Sequence, residues 1–367
     1  MRRTRIRPTL VLLTALTVGM CAAAAGGSSL STTAAPDRTA TAGLPSSPRL
    51  SGAQVSTQSI ADRDASAARL LVAGRNRSGL SWPSGAYVPG GSPHTYARFG
   101  AWRGHKLDVA VMWTARSNWS EITNPDWIYR TWSDMPVVKV IGVPPIPENG
   151  SATMSQCAAG AYDEQWKTFA RTVKAAGMEY ETIVRLGWEF NGDWYRWSAH
   201  SPSLFVRCWR QVVSAAESVA PGLRWDWSVN RGAGQSVSDA RKAWPGSRYV
   251  DVVGVDSYDV WPGATSASAW NQQLNGAYGL NFWLRFAKAH GKKLSVPEWG
   301  VYPGTSHAGH NGGDNPYYIA KMTRFFRANA KYIAYEAYFN ESASYYAGSL
   351  WGPVQNPRAA RAYRAGL

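Results

Sequence analysis

Cysteine is scarce in this 367-residue chain: there are three, Cys21, Cys157 and Cys208. They form no C-x-x-C pair, and the six histidines are scattered, so the spacing of a structural zinc site is missing. No metal and no cofactor is expected. No glycine-rich phosphate loop follows the first predicted strand, which argues against a dinucleotide-binding sheet. No internal repeat and no block of like charge is visible. No apolar run is long enough to span a membrane stably. Acid is also in short supply, with 24 Asp and Glu against 39 Lys and Arg, a formal charge of +15. The cations are dispersed and match no nucleic-acid-binding motif, so nucleic acid is not expected as a partner. Retention on an anionic cell wall, an acidic glycan substrate and simple solubility remain as readings of the basic balance.

What is present begins with a removable segment. Arg2, Arg3, Arg5 and Arg7 precede a short apolar run over 9–20, and Ala23-Ala24-Ala25 offers a small-residue cleavage site. Residues 1–25 therefore read as a secretory signal, and the protein as secreted. Lipidation at Cys21 is the weaker reading, because Met20 is a poor residue before a lipidated cysteine. Residues 26–77 are rich in Ser, Thr, Ala and Gly and read as a flexible spacer, with a turn of helix conceivable only over 67–72. Residues 78–367 are long enough for one large domain, expected to be monomeric. Once Cys21 leaves with the signal, Cys157 and Cys208 remain as an even pair in an oxidising compartment. They are expected to bridge neighbouring helices; two buried thiols are the alternative.

From residue 79 onward the pattern alternates strand and helix. Strands are expected near 80–82 and over 107–113, 136–143, 182–189, 223–229, 250–258, 293–298 and 332–339. Helices are expected over 96–103, 127–132, 163–176, 205–219, 267–290 (interrupted), 316–330 and 356–365. Eight strands alternating with helices fit an α/β fold of one kind, a closed (β/α)8 barrel, whose chemistry gathers at the carboxyl ends of the strands.

Two strand ends carry the same design. In Thr182-Ile183-Val184-Arg185-Leu186-Gly187-Trp188-Glu189, alternation puts Arg185, Gly187 and Glu189 on one face. A loop crowded with Trp194, Tyr195 and Trp197 follows. In Lys293-Leu294-Ser295-Val296-Pro297-Glu298-Trp299-Gly300, a second glutamate again ends an apolar strand. Aromatic planes that stack on sugar rings, beside two carboxyls, are what cleavage of a glycosidic bond needs. Aromatics supply 13% of the chain, including 19 Trp and 18 Tyr, more than core filling alone requires.

These stretches, together with Asn191-Gly192-x-Trp194-Tyr195-x-Trp197 and the strand Val250-Asp251-Val252-Val253-Gly254-Val255-Asp256-Ser257-Tyr258, resemble glycoside hydrolase family 26 over roughly residues 78–360. That family belongs to a clan of barrels with catalytic glutamates ending strands 4 and 7. The resemblance implies Glu298 as nucleophile, Glu189 as acid/base, and a hydrogen bond from Tyr258 to the nucleophile. It favours β-1,4-mannan as substrate. One position departs: the family usually has His before the acid/base, and here Trp188 stands there. Other β-glycans (xylan, mixed-linkage glucan, a bacterial wall or capsule glycan) therefore stay open, as does a non-catalytic carbohydrate-binding barrel.

Substrate contacts are expected from Arg185, Trp188, Asn191, Asp193, Trp194, Trp197, Trp227, Tyr258, Trp261 and Trp299. Arg185 could equally sit in a buried ion pair, Asn191 in a turn, Tyr258 over the core, and each tryptophan in packing. Trp113 is a further candidate at the end of strand 2. Glu336, mid-strand with apolar flanks, is the rival carboxyl and reads as a buried pair. His200 and His307 lie on loops without ligand spacing. If the spacer lies outside the barrel, a chain lacking residues 26–70 will retain its rate on soluble substrate. A large loss of rate would move the start of the domain earlier.

Overall fold

The computed structural model describes residues 76–132, 134–304 and 307–367. The expected signal, Cys21, the 67–72 segment and nearly all of the spacer lie outside the described residues. Eight strands form one closed parallel barrel in chain order, β1 Ser84–Tyr87, β2 Val109–Trp113, β3 Val138–Val143, β4 Thr182–Leu186, β5 Arg224–Asn230, β6 Val252–Tyr258, β7 Lys293–Gly300 and β8 Ile333–Phe339. Closure comes from β1 pairing with β8, Ser84 opposite Glu336 through Tyr87 opposite Phe339. The helices between strands are α1 Pro93–Arg103, α2 Trp119–Thr123, α3 Asp126–Trp132, α4 Met154–Ala158, α5 Asp163–Ala175, α6 Pro202–Glu217, α7 Ala267–Asn275, α8 Leu280–Ala289, α9 Pro316–Ala328 and α10 Pro357–Gly366. The expected (β/α)8 barrel is what the chain forms.

Local chemistry sets most boundaries. Pro93, Pro202, Pro316 and Pro357 sit at helix starts, where the missing N–H costs nothing. Ser92 caps α1, Thr153 caps α4 and Asn315 caps α9, each accepting backbone N–H groups of the first turn. The first strand lies later than expected. Trp82 is buried outside the barrel wall against Phe326, donating its indole N–H to Glu336. Pro83 has no N–H to give a ladder, so pairing begins at Ser84. The interrupted helical segment is two helices, parted where the chain turns at Gly276 and Gly279.

Two layers fill the molecule. Inside the barrel, Val109, Val111, Val140, Ile183, Val252, Ala334, Tyr335 and Ala337 make a small apolar floor. Outside, a larger layer of indole and phenyl rings joins strands to helices, for example Trp227 with Phe190, Trp283 and Trp244. Among the described residues no helix is long and apolar enough to cross a membrane.

A disulfide joins Cys157 in α4 to Cys208 in α6, Cα to Cα 4.9 Å, closing a loop of 51 residues. It ties the short helix after β3 to the helix after β4, the two connections on either side of β4. Closing a loop of that length stabilises by about 4 kcal/mol on the chain-entropy model. Replacing both cysteines by alanine is expected to lower the unfolding free energy by about that amount in denaturant titration. An unchanged midpoint would mean that the bridge adds nothing.

Candidate active site

Both glutamates reach the barrel mouth by breaking the strand pattern. β4 ends at Leu186, and Gly187 (φ 54°) turns left-handed where a side chain would crowd Pro145, Trp197 and Phe205. Glu189 itself is left-handed, with φ 50°, a conformation that L residues with long side chains seldom adopt. Simple alternation from Arg185 to Glu189 therefore does not hold. Three bonds fix the turn: Glu189 N–H donates to Ser228 O at 3.0 Å, Gly192 N–H donates to Glu189 O at 2.9 Å, and the Asn230 amide donates to Glu189 Oε1 at 3.0 Å.

β7 reaches the same mouth through a bulge. Against β8, Val296 pairs with Glu336 and Trp299 with Tyr338, three steps against two. Against β6, Ser295 pairs with Gly254 and Trp299 with Ser257, four steps against three. One extra residue thus lies in β7 at Pro297-Glu298, and Pro297 is tolerated because a bulge leaves a residue without a ladder bond. Val296 and Trp299 can both face the outer layer while Glu298 turns inward.

The two carboxyls meet unlike surroundings. Glu298, 6% exposed, takes Arg185 Nη1 on Oε1 at 2.7 Å and the Tyr258 hydroxyl on Oε2 at 2.7 Å. Both are donors to the charged form. Arg185 is fully buried and also reaches Asp256 Oδ2 at 2.6 Å, while its Nε donates to Ser228 Oγ at 3.2 Å. Ser228, Ser295 and Tyr335 all donate to Asp226 one layer below. Gly254 makes room for that layer, since a side chain there would run into Asp226 and Ser228.

Several acids thus surround one guanidinium, which cannot neutralise them all. Burial pushes Asp256 well above the usual carboxylate range against the pull of Arg185, and its Oδ1 has no partner. Glu189 has no cation in contact. Burial first, and then the charge of Glu298, push it up to about 8, against smaller opposing effects of Arg185, Trp194 and Asn230. The site therefore holds one carboxyl gripped by donors and one favoured as its acid.

Placement of the other expected residues is mixed. Arg185 is a buried clamp on Glu298 rather than a sugar contact, and Tyr258 makes the hydrogen bond implied for it. Trp188 is buried between Trp113, Tyr195 and Trp197, and its indole N–H is taken by the Tyr195 hydroxyl at 3.1 Å. Trp194 is half-buried beside the Glu189 carboxyl and favours its charged form. Trp261 is exposed and stacked on His310 at 3.7 Å, with His307 edge-on.

Four placements differ from the expectation. Asn191 is buried with its amide spent on both sides: Nδ2 donates to Asn230 O at 2.9 Å and Oδ1 accepts from Asn230 N at 2.8 Å. Trp197 is fully buried under Tyr195, its N–H on Trp188 O. Trp227 and Trp299 lie in the layer between barrel and helices, donating to Ala243 O and Glu336 Oε2, because their strand positions face outward. None of the four offers a face to the mouth. Asp193 is exposed on the loop after Glu189. Glu336 is buried in that same outer layer between two indoles, as a structural acid. His200 is exposed on its loop.

Sequence reasoning missed Asn230, the polar residue that ends β5 and orients Glu189. It also passed over Tyr87, Arg116 and Glu341. Arg116 lies over the Tyr195 ring and pairs with Glu148 at 2.8 Å, and Tyr87 donates to Glu341 at 3.2 Å. The available signal for Asn230 was its face: it follows Asp226 and Ser228 at alternate positions of β5 and ends that polar row.

A closed barrel whose strand ends carry two buried carboxyls in unlike environments is an arrangement suited to cleaving a glycosidic bond. Residues 169–298, which span both glutamates, match the family model described as Glycosyl hydrolase family 26. The resemblance read from the sequence is borne out. The chain is 24% identical over 184 residues to a mannan endo-1,4-beta-mannosidase of Bifidobacterium adolescentis. That match takes in 48% of this chain and 18% of the relative, so the chain spans only about a fifth of that protein. In solved structures the fold is shared with the catalytic domain of the Bacillus sp. JAMB-750 endo-beta-1,4-mannanase, at 15% identity and TM-score 0.57 over 82% of this chain and 88% of that one. A modular endo-beta-1,4-mannanase from Cellulomonas fimi is similar at 18% identity and TM-score 0.58, over 82% and 74%.

The raised Glu189 has a stability consequence. Its folded value of about 8 lies above its ordinary 4.5, so the stability tied to its protonated form is full below about pH 4.5. That stability is lost as pH rises toward 8. The Glu189→Gln variant lacks the loss. Its melting temperature is expected to exceed that of the parent by a margin growing from pH 5 to 8, at roughly 1.4 kcal/mol per pH unit at most. A margin that is flat or falling with pH would refute the assignment.

Proposed function

We propose that this protein is a secreted retaining endo-β-glycanase, acting on a β-linked polysaccharide, β-1,4-mannan first among them. The observation that carries the reading is the opposed state of the two glutamates, Glu298 held by Arg185 and Tyr258, Glu189 pushed up to about 8. In the first step Glu298 attacks the anomeric carbon while Glu189 gives its proton to the departing oxygen, breaking the glycosidic bond. The glycosyl ester on Glu298 carries no charge. The repulsion that helped to raise Glu189 is then gone, and the ionised Glu189 suits the next task of taking a proton from water. That water attacks the anomeric carbon and releases Glu298. Arg185 and Tyr258 stay in place through both steps and favour the departure of a charged Glu298.

The mannan assignment rests on the family resemblance and on the mannanases it is similar to. Trp188 favours a second reading, the same chemistry on another β-glycan. Where the family usually has His, the only polar atom of Trp188 is already bonded to Tyr195, so it offers the sugar no hydrogen bond. A non-catalytic binder would have no use for two glutamates held in opposite states. Export agrees with the disulfide and with the signal expected at 1–25.

Reducing-sugar release across mannan, xylan, mixed-linkage glucan and wall glycans separates these readings. Paired variants then test the roles. Glu298→Ala is expected to fail on every substrate and to regain some turnover with azide, giving inverted product. Glu189→Ala is expected to suffer most on poor leaving groups, while an activated aryl glycoside still forms the ester, which azide resolves with retention. Equal collapse of both variants without azide rescue would overturn the assignment.

A further inference from the structure

Three helices that follow one another around the barrel, α9, α10 and α1, carry cations and no acids. Residues 316–335, 356–367 and 93–107 contain no Asp or Glu. On their open surface stand Lys321, Arg324, Arg327, Lys331, Arg358, Arg361, Arg364, Arg98 and Lys106, none of them buried. The helices touch: Tyr363 of α10 packs on Phe99 and Trp102 of α1, and Arg327 of α9 donates to Gly366 O of α10. Elsewhere, exposed cations find carboxylates, as Lys167 does with Glu164, Arg130 with Asp126 and Arg241 with Asp239. Among the described residues none of the nine does. The acids that border these stretches are engaged elsewhere: Asp314 accepts from the backbone N–H groups of Arg358 and Ala359, Asp108 from those of Ser78 and Ser84, and Glu336 from the indoles of Trp82 and Trp299.

Five of these nine head groups lie over aromatic rings instead. Arg98 lies over Trp351, Lys321 over Tyr317, Arg327 over Trp82, Lys331 over Tyr332 and Arg364 over Trp102, at 4.9–5.8 Å from the ring centroids. A ring steadies a cation without neutralising it. Like charges kept together without acids raise the potential over the whole wall. Arg361 and Arg364 line one hollow with His105, but the other seven are not part of its lining, so a single small anion there would not account for the set. Along α9 and α10 they recur every third residue, about 4.5 Å of helix rise, which matches a chain with one negative charge per repeat.

We infer that this wall binds an extended anionic glycan or polyol polymer, with phosphodiester or carboxylate charge. It would hold the protein on such a polymer through a face separate from the barrel mouth. The inference does not rest on the catalytic reading.

The experiment uses the full mature chain on beads carrying poly(glycerol phosphate), polygalacturonate or duplex DNA, in 50 mM and 300 mM NaCl. The test variant is Arg324→Gln, Arg358→Gln, Arg361→Gln and Arg364→Gln together. A control removes four cations elsewhere, Arg130→Gln, Arg171→Gln, Arg207→Gln and Lys242→Gln. The parent and the control are expected to bind a polymer bead at low salt and release at high salt, the test variant at least roughly tenfold more weakly. All three should keep the same melting temperature and the same rate on a neutral soluble substrate. Preference between the first two beads identifies phosphate or carboxylate as the source. Equal weakening of the control would make net charge the cause and overturn the inference. So would no binding by the parent, an unweakened test variant, or stronger binding to DNA than to either polymer.

Discussion

The buried guanidinium of Arg185 is the group on which the rest of the site depends. It sits at zero exposure, bonded at once to Glu298, Asp256 and Ser228. Without it, Glu298 and Asp256 would lie buried with no cation bonded to them among the described residues, and burying ionised acids in that way costs several kcal/mol each. With it, one carboxyl can be charged in place, and that charge in turn disfavours a second charge on Glu189. The raised value of Glu189 thus goes with having too little positive charge for the acids enclosed. The hydroxyls of Ser228, Ser295 and Tyr335 on Asp226 complete a polar layer beneath, so the clamp stands on hydrogen-bonded ground rather than on the apolar floor.

A regular barrel would not aim these groups. Inward and outward positions alternate on every strand, and Trp299 must face outward to reach Glu336 and the helices. An inward Glu298 beside an outward Trp299 fits that alternation, but Val296 also faces out, and only an extra residue accommodates both. Pro297 supplies it. Across the mouth, the left-handed turn through Gly187 and Glu189 does the same work for β4, at the expense of backbone strain that the Asn230 and Ser228 bonds restrain. The disulfide and the buried indoles of Trp188 and Trp197 brace this turn from the neighbouring loop and helix.

The barrel and the two glutamates were legible because they depend on local pattern: apolar runs of strand length, proline and glycine at boundaries, and a charged residue where an apolar run stops. Tyr258 and Arg185 were legible as partners of a carboxyl. Alternation could not say that Arg185 serves the far glutamate, Glu298, because that contact spans 113 residues and the width of the barrel. The aromatic platforms were the weakest part of the reading. Trp113 ends β2, Trp299 lies one residue before the end of β7 and Trp227 lies within β5, and only the registers, one of them shifted by a bulge, decide which side of the wall each ring takes. Asn191 shows the same limit, for its partner Asn230 is 39 residues away on another strand.

Charge is distributed in opposite senses inside and outside the molecule. The interior around Arg185 has more acid than base, whereas the wall of α9, α10 and α1 has base alone. The two cannot compensate one another. Exposed cations act across solvent with a Debye length of about 8 Å in physiological salt, so they have little hold on groups enclosed at the barrel mouth. Glu298 depends on its own two donors whatever the outer helices carry. Conversely, the outer wall can change its charge without altering the protonation of Glu189. The electrostatics of the mouth and of the outer wall are thus free to vary separately in this fold, the first set by contacts below 3 Å inside the barrel and the second by a field spread over its outside.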